Sequence, residues 1–431
     1  MVGEVTARRI LGLALPALGV LAASPLYLLF DTAVVGRLGT SQLAALAAGT
    51  AVQSTVTTQL TFLSYGTTAR ASRLFGAGRR EAAVAEGVQA TWVALLVGLT
   101  LAALVWLFAF PVALFLTNDA ATAREAVRWM RVAAFAIPLT LIIMAGNGWL
   151  RGVQNTRLPF VLTLCGLVPG AACLPLFVAR WGLVGSATAN VLGMGITASL
   201  FLAVLARNHK GPWAPRPGVI REQLVLGRDL IVRSLSFQVS FLAAAAVAGR
   251  VGVAALAAHQ VMLQLWNFLT LVLDSLAIAA QTLTGSSLGR GEVGQARFVG
   301  VQSTRFSTGF SLVLAGAFAL FAGPIQSVFT SDPAVRGSLA VPWWILIAMI
   351  VAGGIVFALD GVLLGAGDAS CLRNLTVFSV LLGFLPVVLL SLHFGWGLAG
   401  IWAGHLLSVL IRLVGVVTRF RSMKWARVGG V

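Results

Sequence analysis

The chain has 431 residues, 58% of them hydrophobic and 10% charged, with a mean hydropathy of +0.94. So little polar surface cannot coat a soluble protein of this length, which excludes a soluble enzyme or scaffold and places the chain in lipid. The formal charge of +17 would suggest nucleic acid in a soluble protein, but here the arginines are dispersed over short loops instead of forming one patch, so no nucleic acid is expected and anionic lipid headgroups are the natural neighbours.

In chain order, twelve apolar stretches lie near 10–36, 43–70, 86–116, 126–150, 157–179, 182–206, 230–249, 253–287, 298–329, 335–364, 371–393 and 397–418. Each is long enough to cross about 30 Å of hydrocarbon as a helix, which takes roughly 20 residues. The first is too long, and continues too smoothly into the rest of the bundle, to be a cleaved signal peptide. The segment 207–229, with Pro212, Pro215 and Pro217 among basic residues, is the one long polar connection. The expected organisation is an N-lobe over 1–206 (helices 1–6), a cytoplasmic linker over 207–229 and a C-lobe over 230–431 (helices 7–12).

The ends of the chain and the even loops, near 70–85, 151–157, 207–233, 288–297 and 366–373, hold most of the 30 basic residues. Arg37, Arg124, Arg128, Arg131, Arg180, Arg250 and Arg336 fall on the opposite side. This bias predicts a multi-pass protein of the cell membrane with both termini cytoplasmic.

An offset of 213 residues lays the chain on itself. Gly36 and Arg37 meet Gly249 and Arg250; Gly76 and Gly78 meet Gly289 and Gly291. Pro111, Thr117 and Asp119 meet Pro324, Thr330 and Asp332, while Gly148 and Gly152 meet Gly361 and Gly365. Residues of this kind mark backbone geometry, so the two halves share a fold. With six helices per half, each half starts and ends on the same side. The predicted fold class is therefore an all-α integral membrane protein of twelve transmembrane helices, in two parallel six-helix repeats around a central cavity.

Helix 2 carries Thr50, Ser54, Thr57, Thr61, Ser64, Thr68 and Ser72 at spacings of three and four, which puts them on one face. In helix 8 the positions equivalent to Ser54, Thr57, Thr61 and Thr68 are Asn267, Thr270, Asp274 and Gln281. Such stripes either line a cavity or bind helices together, and hydroxyls can also turn back onto their own helix. Thr57, Thr61, Phe62, Asn147, Trp266 and Phe268 are candidate cavity residues; the three aromatics have packing as their plain alternative.

Asp31, Asp274 and Asp360 are the acids well inside apolar stretches, where a charge costs roughly 2.5 to 3.5 kcal/mol on insertion scales. Asp31 meets Ala244 in the second half, and that asymmetry points to ion chemistry in one lobe. Asp360 meets Asn147, so a polar group is wanted there in both halves, and Asp360→Asn is expected to be milder than Asp31→Asn. Asp274, Asp360, Asn267 and Gln281 make a possible second-lobe polar site, functional or structural. The three cysteines form no metal-like cluster with the four histidines, so no metal or cofactor is expected.

The chain resembles the multidrug and toxic compound extrusion (MATE) transporters, and within them the DinF branch. The resemblance runs over essentially the full length. It is carried by Ala14-Leu15-Pro16 and Phe30-Asp31-Thr32-Ala33-Val34-Val35-Gly36, by Gly148-Trp149-Leu150-Arg151-Gly152-Val153-Gln154, and by Gly185-Ser186-Ala187-Thr188-Ala189. Arg228-Asp229-Leu230-Ile231-Val232-Arg233-Ser234 and Leu359-Asp360-Gly361-Val362-Leu363-Leu364-Gly365 complete it.

The resemblance implies a secondary antiporter, acting as a monomer by alternating access, that exports an amphiphilic, cationic organic solute while protons or sodium ions enter. It makes Asp31 the cation-coupling carboxylate. The family's helix 5 partners, an Asn and an Asp, fall on Val168 and Ala172 and are lost, while Asn190 stands at the helix 6 position and can hydrogen-bond to Asp31. One titratable oxygen suffices for a proton whereas sodium needs several oxygen ligands, which favours protons. Pro16 or Pro25 can kink helix 1.

Two other functions compete. A lipid-linked sugar or polysaccharide flippase of the same superfamily needs a cavity for a polyprenyl tail. An intramembrane serine protease is suggested by Gly285-Ser286-Ser287-Leu288-Gly289, but no histidine lies near in sequence and the first-half equivalent is a loop-entry turn. The chain is therefore read as a transporter and not as an enzyme.

Overall fold

The computed structural model describes residues 6–428, and those residues form helices and turns with no strand among them. Sixteen α-helices make twelve rods. In the first half these are α1 (Ala7–Gly36), the pair α2 (Thr40–Gln59) and α3 (Phe62–Gly76), α4 (Arg80–Thr117), the pair α5 (Ala120–Ala133) and α6 (Ala136–Gly152), α7 (Arg157–Trp181) and α8 (Leu183–Asn208). The second half has α9 (Pro217–Val251), α10 (Val253–Gly289), the pair α11 (Val293–Leu320) and α12 (Ala322–Phe329), α13 (Pro333–Gly365), α14 (Ala369–Ser379) with α15 (Leu385–Phe394), and α16 (Gly397–Arg421).

Each rod of the first half has its counterpart 213 residues on, with ends that agree to within a few residues, but the breaks do not repeat. The α2–α3 break at Leu60 and Thr61 faces an unbroken α10, and α5–α6 faces an unbroken α13. Bends of 41° between α5 and α6 and 75° between α11 and α12 divide two spans. A π-helical turn, Val380–Phe384, joins α14 to α15.

Among the described residues nine helices are long and apolar enough to cross a bilayer, or eleven when each bent pair counts as one span. The remaining rod is α2–α3, where the Ser, Thr and Gln side chains that form the polar stripe also lower the mean hydropathy.

Turn chemistry repeats with the rods. Asp119 caps α5 by accepting from the Thr122 N–H, and its equivalent Asp332 caps α13 by accepting from the Ala334 N–H. The Thr122 hydroxyl and N–H hold the Asp119 carboxyl below its ordinary range. Gly78 and Gly291 have φ of +76° and +78°, a conformation that ends the preceding helices and that glycine alone adopts without strain.

Close helix packing uses the paired glycines. A Cβ at Gly148 or Gly152 would run into α3 at Thr67 or Ala71; one at Gly361 or Gly365 would run into the Ala277 or Gln281 carbonyl oxygen of α10. Small residues four apart let two helix backbones approach, the usual device where lipid supplies no hydrophobic drive. Gly361→Ala is expected to destabilise by about 1–3 kcal/mol through overpacking. Gly316→Ala, in α11 where an added Cβ meets nothing within 4 Å, is expected to raise or preserve the melting temperature in detergent.

The described residues divide into two compact units. One comprises Leu15–Gly227; the other takes the chain up to Ala14 together with Arg228 onward. These bounds differ from the expected lobes over 1–206 and 230–431 with a cytoplasmic linker over 207–229. Residues 217–227 are already helical and, with the extended stretch before them, are held to α4. Gln89 donates to the Ala214 carbonyl and accepts from the Arg216 N–H, Trp92 donates to the Trp213 carbonyl, and Gln223 donates to Glu86. Arg70 completes the anchor by pairing with both Glu86 and Glu222. At the other end, Ile10, Leu13 and Ala14 pack with Leu276, Ala279, Leu283 and Val299. The two divisions fall at equivalent repeat positions, within α1 and within α9. The extreme termini, expected in the cytoplasm, lie outside the described residues.

Candidate functional site

Asp31 is 3% exposed, although its neighbours Leu28 to Phe30 and Thr32 and Ala33 are exposed. Helical spacing puts Tyr27, Val34 and Val35 on its face of α1, and these pack into an apolar cluster with Trp129, Leu174, Ala187 and Ala189. One carboxylate oxygen is satisfied: the Ser186 hydroxyl donates to Oδ2 at 2.8 Å, and the Trp129 indole N–H donates to Ser186 Oγ at 3.1 Å. Gly49 on α2 makes room for the Trp129 ring, since a Cβ there would strike the indole. The other oxygen, Oδ1, is buried without a partner among the described residues, as is the Tyr27 hydroxyl one turn earlier.

The expected hydrogen-bond partner was Asn190, and here the structure corrects the reading. Asn190 is half-buried on α8 and makes no hydrogen bond to Asp31 among the described residues; Ser186, one turn earlier on the same helix, takes that role. Both residues lie on one helical face, so spacing could not choose between them. Trp129 had no signal in the sequence beyond being an aromatic in an amphipathic segment. At the 213 offset Asp31, Ser186 and Trp129 become Ala244, Ala399 and Pro342. The whole hydrogen-bonded set, and not the acid alone, is absent from the second half.

Asp360 has a different environment. Arg233 of α9 and Arg412 of α16 both donate to its Oδ2, and both guanidinium groups also lie over the Phe237 ring, at 5.5 and 4.8 Å. Asp274, half-buried on α10, also attracts Arg412. This is a buried ion-pair network, the paired arrangement that intramembrane charge requires. Arg412 stands inside the apolar stretch 397–418, and the same cost argument that singled out the acids would have found it. In the first half Asp360, Arg233 and Arg412 become Asn147, Val20 and Ser199: where the acid is neutral, both bases are neutral too.

The remaining candidates scatter. Thr57 donates to its own helix at Gln53 and Thr61 to Thr58, the backbone alternative for such hydroxyls. Phe62 and Trp266, candidates for a cavity wall with packing as the alternative, are buried in packing. Phe62 lies against Gly227, and Trp266 meets Phe357 edge-on at 6.4 Å. Phe268 and Asn267 are exposed, whereas Asn147 and Gln281 are buried. α1 runs unbroken through Pro16 and Pro25, each of which removes one internal hydrogen bond. Ser287, the residue of the protease-like motif, donates to the Leu283 carbonyl of its own helix.

A duplicated helical bundle with membrane-length rods, one half holding a buried acid bonded to a serine and the other a buried acid paired with two arginines, defines a polytopic membrane transporter. The MatE family model matches residues 16–175 and 230–389, the corresponding part of each repeat, and the chain belongs to the MATE family of multidrug and toxic compound efflux transporters. It is 31% identical to the Arabidopsis thaliana "Protein DETOXIFICATION 44, chloroplastic", over 94% of this chain and 80% of that protein. It is 27% identical to the Escherichia coli "DNA damage-inducible protein F", over 91% of each. A crystal structure of a MATE protein in a bent conformation superposes with a TM-score of 0.89 over 97% of this chain and 96% of that one, at 21% identity, which shows the shared fold.

Proposed function

We propose that the protein is a proton-coupled antiporter that exports an amphiphilic, cationic organic solute, with Asp31 as the coupling acid. The observation that carries this reading is a half-satisfied carboxyl that, unlike Asp360, has no ion pair among the described residues: Oδ2 is held by Ser186 while Oδ1 is buried and open. A single open oxygen suits a proton. Sodium would want several oxygen ligands, and Ser186 is the one side chain hydrogen-bonded to the carboxylate among the described residues. When protonated, Asp31 loses both its desolvation cost and its attraction for a cationic solute. Proton and solute therefore favour different states, which is what exchange by alternating access needs. The basic residues of the even loops support placement in the cell membrane with cytoplasmic termini.

Purified protein in liposomes, with imposed proton or sodium gradients, tests this against a panel of cationic dyes and lipid-linked sugars. Dye efflux driven by the proton gradient alone is expected. Movement driven only by sodium, or confined to lipid-linked sugars, overturns the reading.

A further inference from the structure

Four side-chain hydroxyls lie on α8, and three of them turn back onto their own helix. Thr188 donates to the Val184 carbonyl, Thr197 to that of Gly193 and Ser199 to that of Gly195, the ordinary habit of a helical hydroxyl. Ser186 departs from it by donating to Asp31 Oδ2 at 2.8 Å. What sets Ser186 apart is a donor on its own oxygen: the Trp129 indole N–H reaches Oγ at 3.1 Å. Asp31, Ser186 and Trp129 come from α1, α8 and α5 of one compact unit, and all three are buried.

An indole can only donate, and a serine hydroxyl has one proton to give. With the indole N–H on Oγ, Ser186 accepts from Trp129 and passes its own proton to the carboxylate. The indole also has a place made for it, since a Cβ at Gly49 on α2 would strike its ring. At the 213 offset Gly49, Trp129, Ser186 and Asp31 become Met262, Pro342, Ala399 and Ala244. The space for the indole, the indole, the hydroxyl and the acid occur together in one half and are absent together from the other.

We propose that Trp129 is a positioning residue for Asp31: by donating to Ser186 Oγ it keeps the Ser186 hydroxyl turned onto Oδ2, so that Asp31 binds and releases its proton at Oδ1. This rests on the reading of Asp31 as the coupling acid. Oδ1 is the oxygen left without a partner among the described residues. Without the indole N–H, Ser186 is free to turn onto its own helix as its three neighbours do, and Oδ2 loses its donor. Few other groups face the acid. Tyr27 on α1 feels the charges of Asp31 and of Cys173 on α7. Among the described residues no charged side chain acts on Asp31 itself; on α5, Glu125 and Arg128 pair with each other and Arg131 lies over the Trp106 ring of α4.

The test is pH titration of the Asp31 carboxyl by infrared difference spectroscopy in proteoliposomes, with Asp31→Asn as the blank. Two changes remove the donor: Trp129→Phe, and 3-benzothienylalanine at position 129, which keeps the bicyclic shape and lacks the N–H. Both are expected to move the Asp31 midpoint by about one pH unit, to the same side as Ser186→Ala. The C=O of the protonated acid should lie at Oδ2 and be hydrogen-bonded, so its stretch should rise in frequency in all three variants. Because Trp129 acts through Ser186, the double variant Trp129→Phe, Ser186→Ala should titrate as Ser186→Ala does. An unchanged midpoint in the folded benzothienylalanine protein, additive shifts in the double variant, or a C=O stretch indifferent to Ser186→Ala overturns the proposal. The titration is read without transport, so wild-type efflux by Asp31→Asn would overturn the coupling role of Asp31 while these shifts still upheld the positioning role of Trp129.

Discussion

Asp31→Asn is expected to fold and insert normally and to reduce gradient-driven efflux to the passive leak rate. Asn keeps the volume and can still accept from Ser186, so the hydrogen bond at Oδ2 survives, and removal of a buried acid's charge leaves no opposite charge stranded in its cluster. What it loses is the titratable oxygen. Asp31→Glu should retain part of the activity. Ser186→Ala is expected to shift the pH dependence of efflux more than Asn190→Ala does, because Ser186 is the residue that touches the carboxylate. Efflux against a gradient at the wild-type rate by Asp31→Asn liposomes would overturn the mechanism while leaving the family assignment intact.

The second large effect reverses an expectation from the repeat. Pairing with Asn147 made Asp360→Asn look milder than Asp31→Asn, but Asp360 accepts from both Arg233 and Arg412 in the structure. Neutralising it strands two guanidinium groups, one of them buried, and breaking a buried ion pair by removing one partner costs about 3–5 kcal/mol. Asp360→Asn should thus fold poorly, with a lower melting temperature and lower yield than Asp31→Asn. The triple variant Asp360→Asn, Arg233→Val, Arg412→Ser copies the neutral set Asn147, Val20 and Ser199, and should recover most of the loss. A single variant as stable as wild type, or a triple variant less stable than the single, would show that the arginines do not depend on this carboxylate.

Composition and spacing alone determined the solvent, the helix count and the duplication. Hydropathy is a bulk property, and glycine, proline and turn acids constrain backbone locally, so Asp119 and Asp332 or Gly78 and Gly291 announce the same turns before any fold is known. Asp31 was also legible, since an acid in an apolar run is costly wherever the helix packs. The partners were decided only by tertiary structure. Ser186 and Asn190 share a face of α8, and only packing sets which one reaches an acid 155 residues away. Asp31 and Asp360 look alike in sequence, and each keeps one buried oxygen without a hydrogen-bond partner among the described residues, yet Arg233 and Arg412 neutralise Asp360 while no ion pair reaches Asp31 among those residues. The charge state and freedom of a buried group depend on what other helices bring within hydrogen-bond reach, and that distance is not written in the order of residues along any one of them.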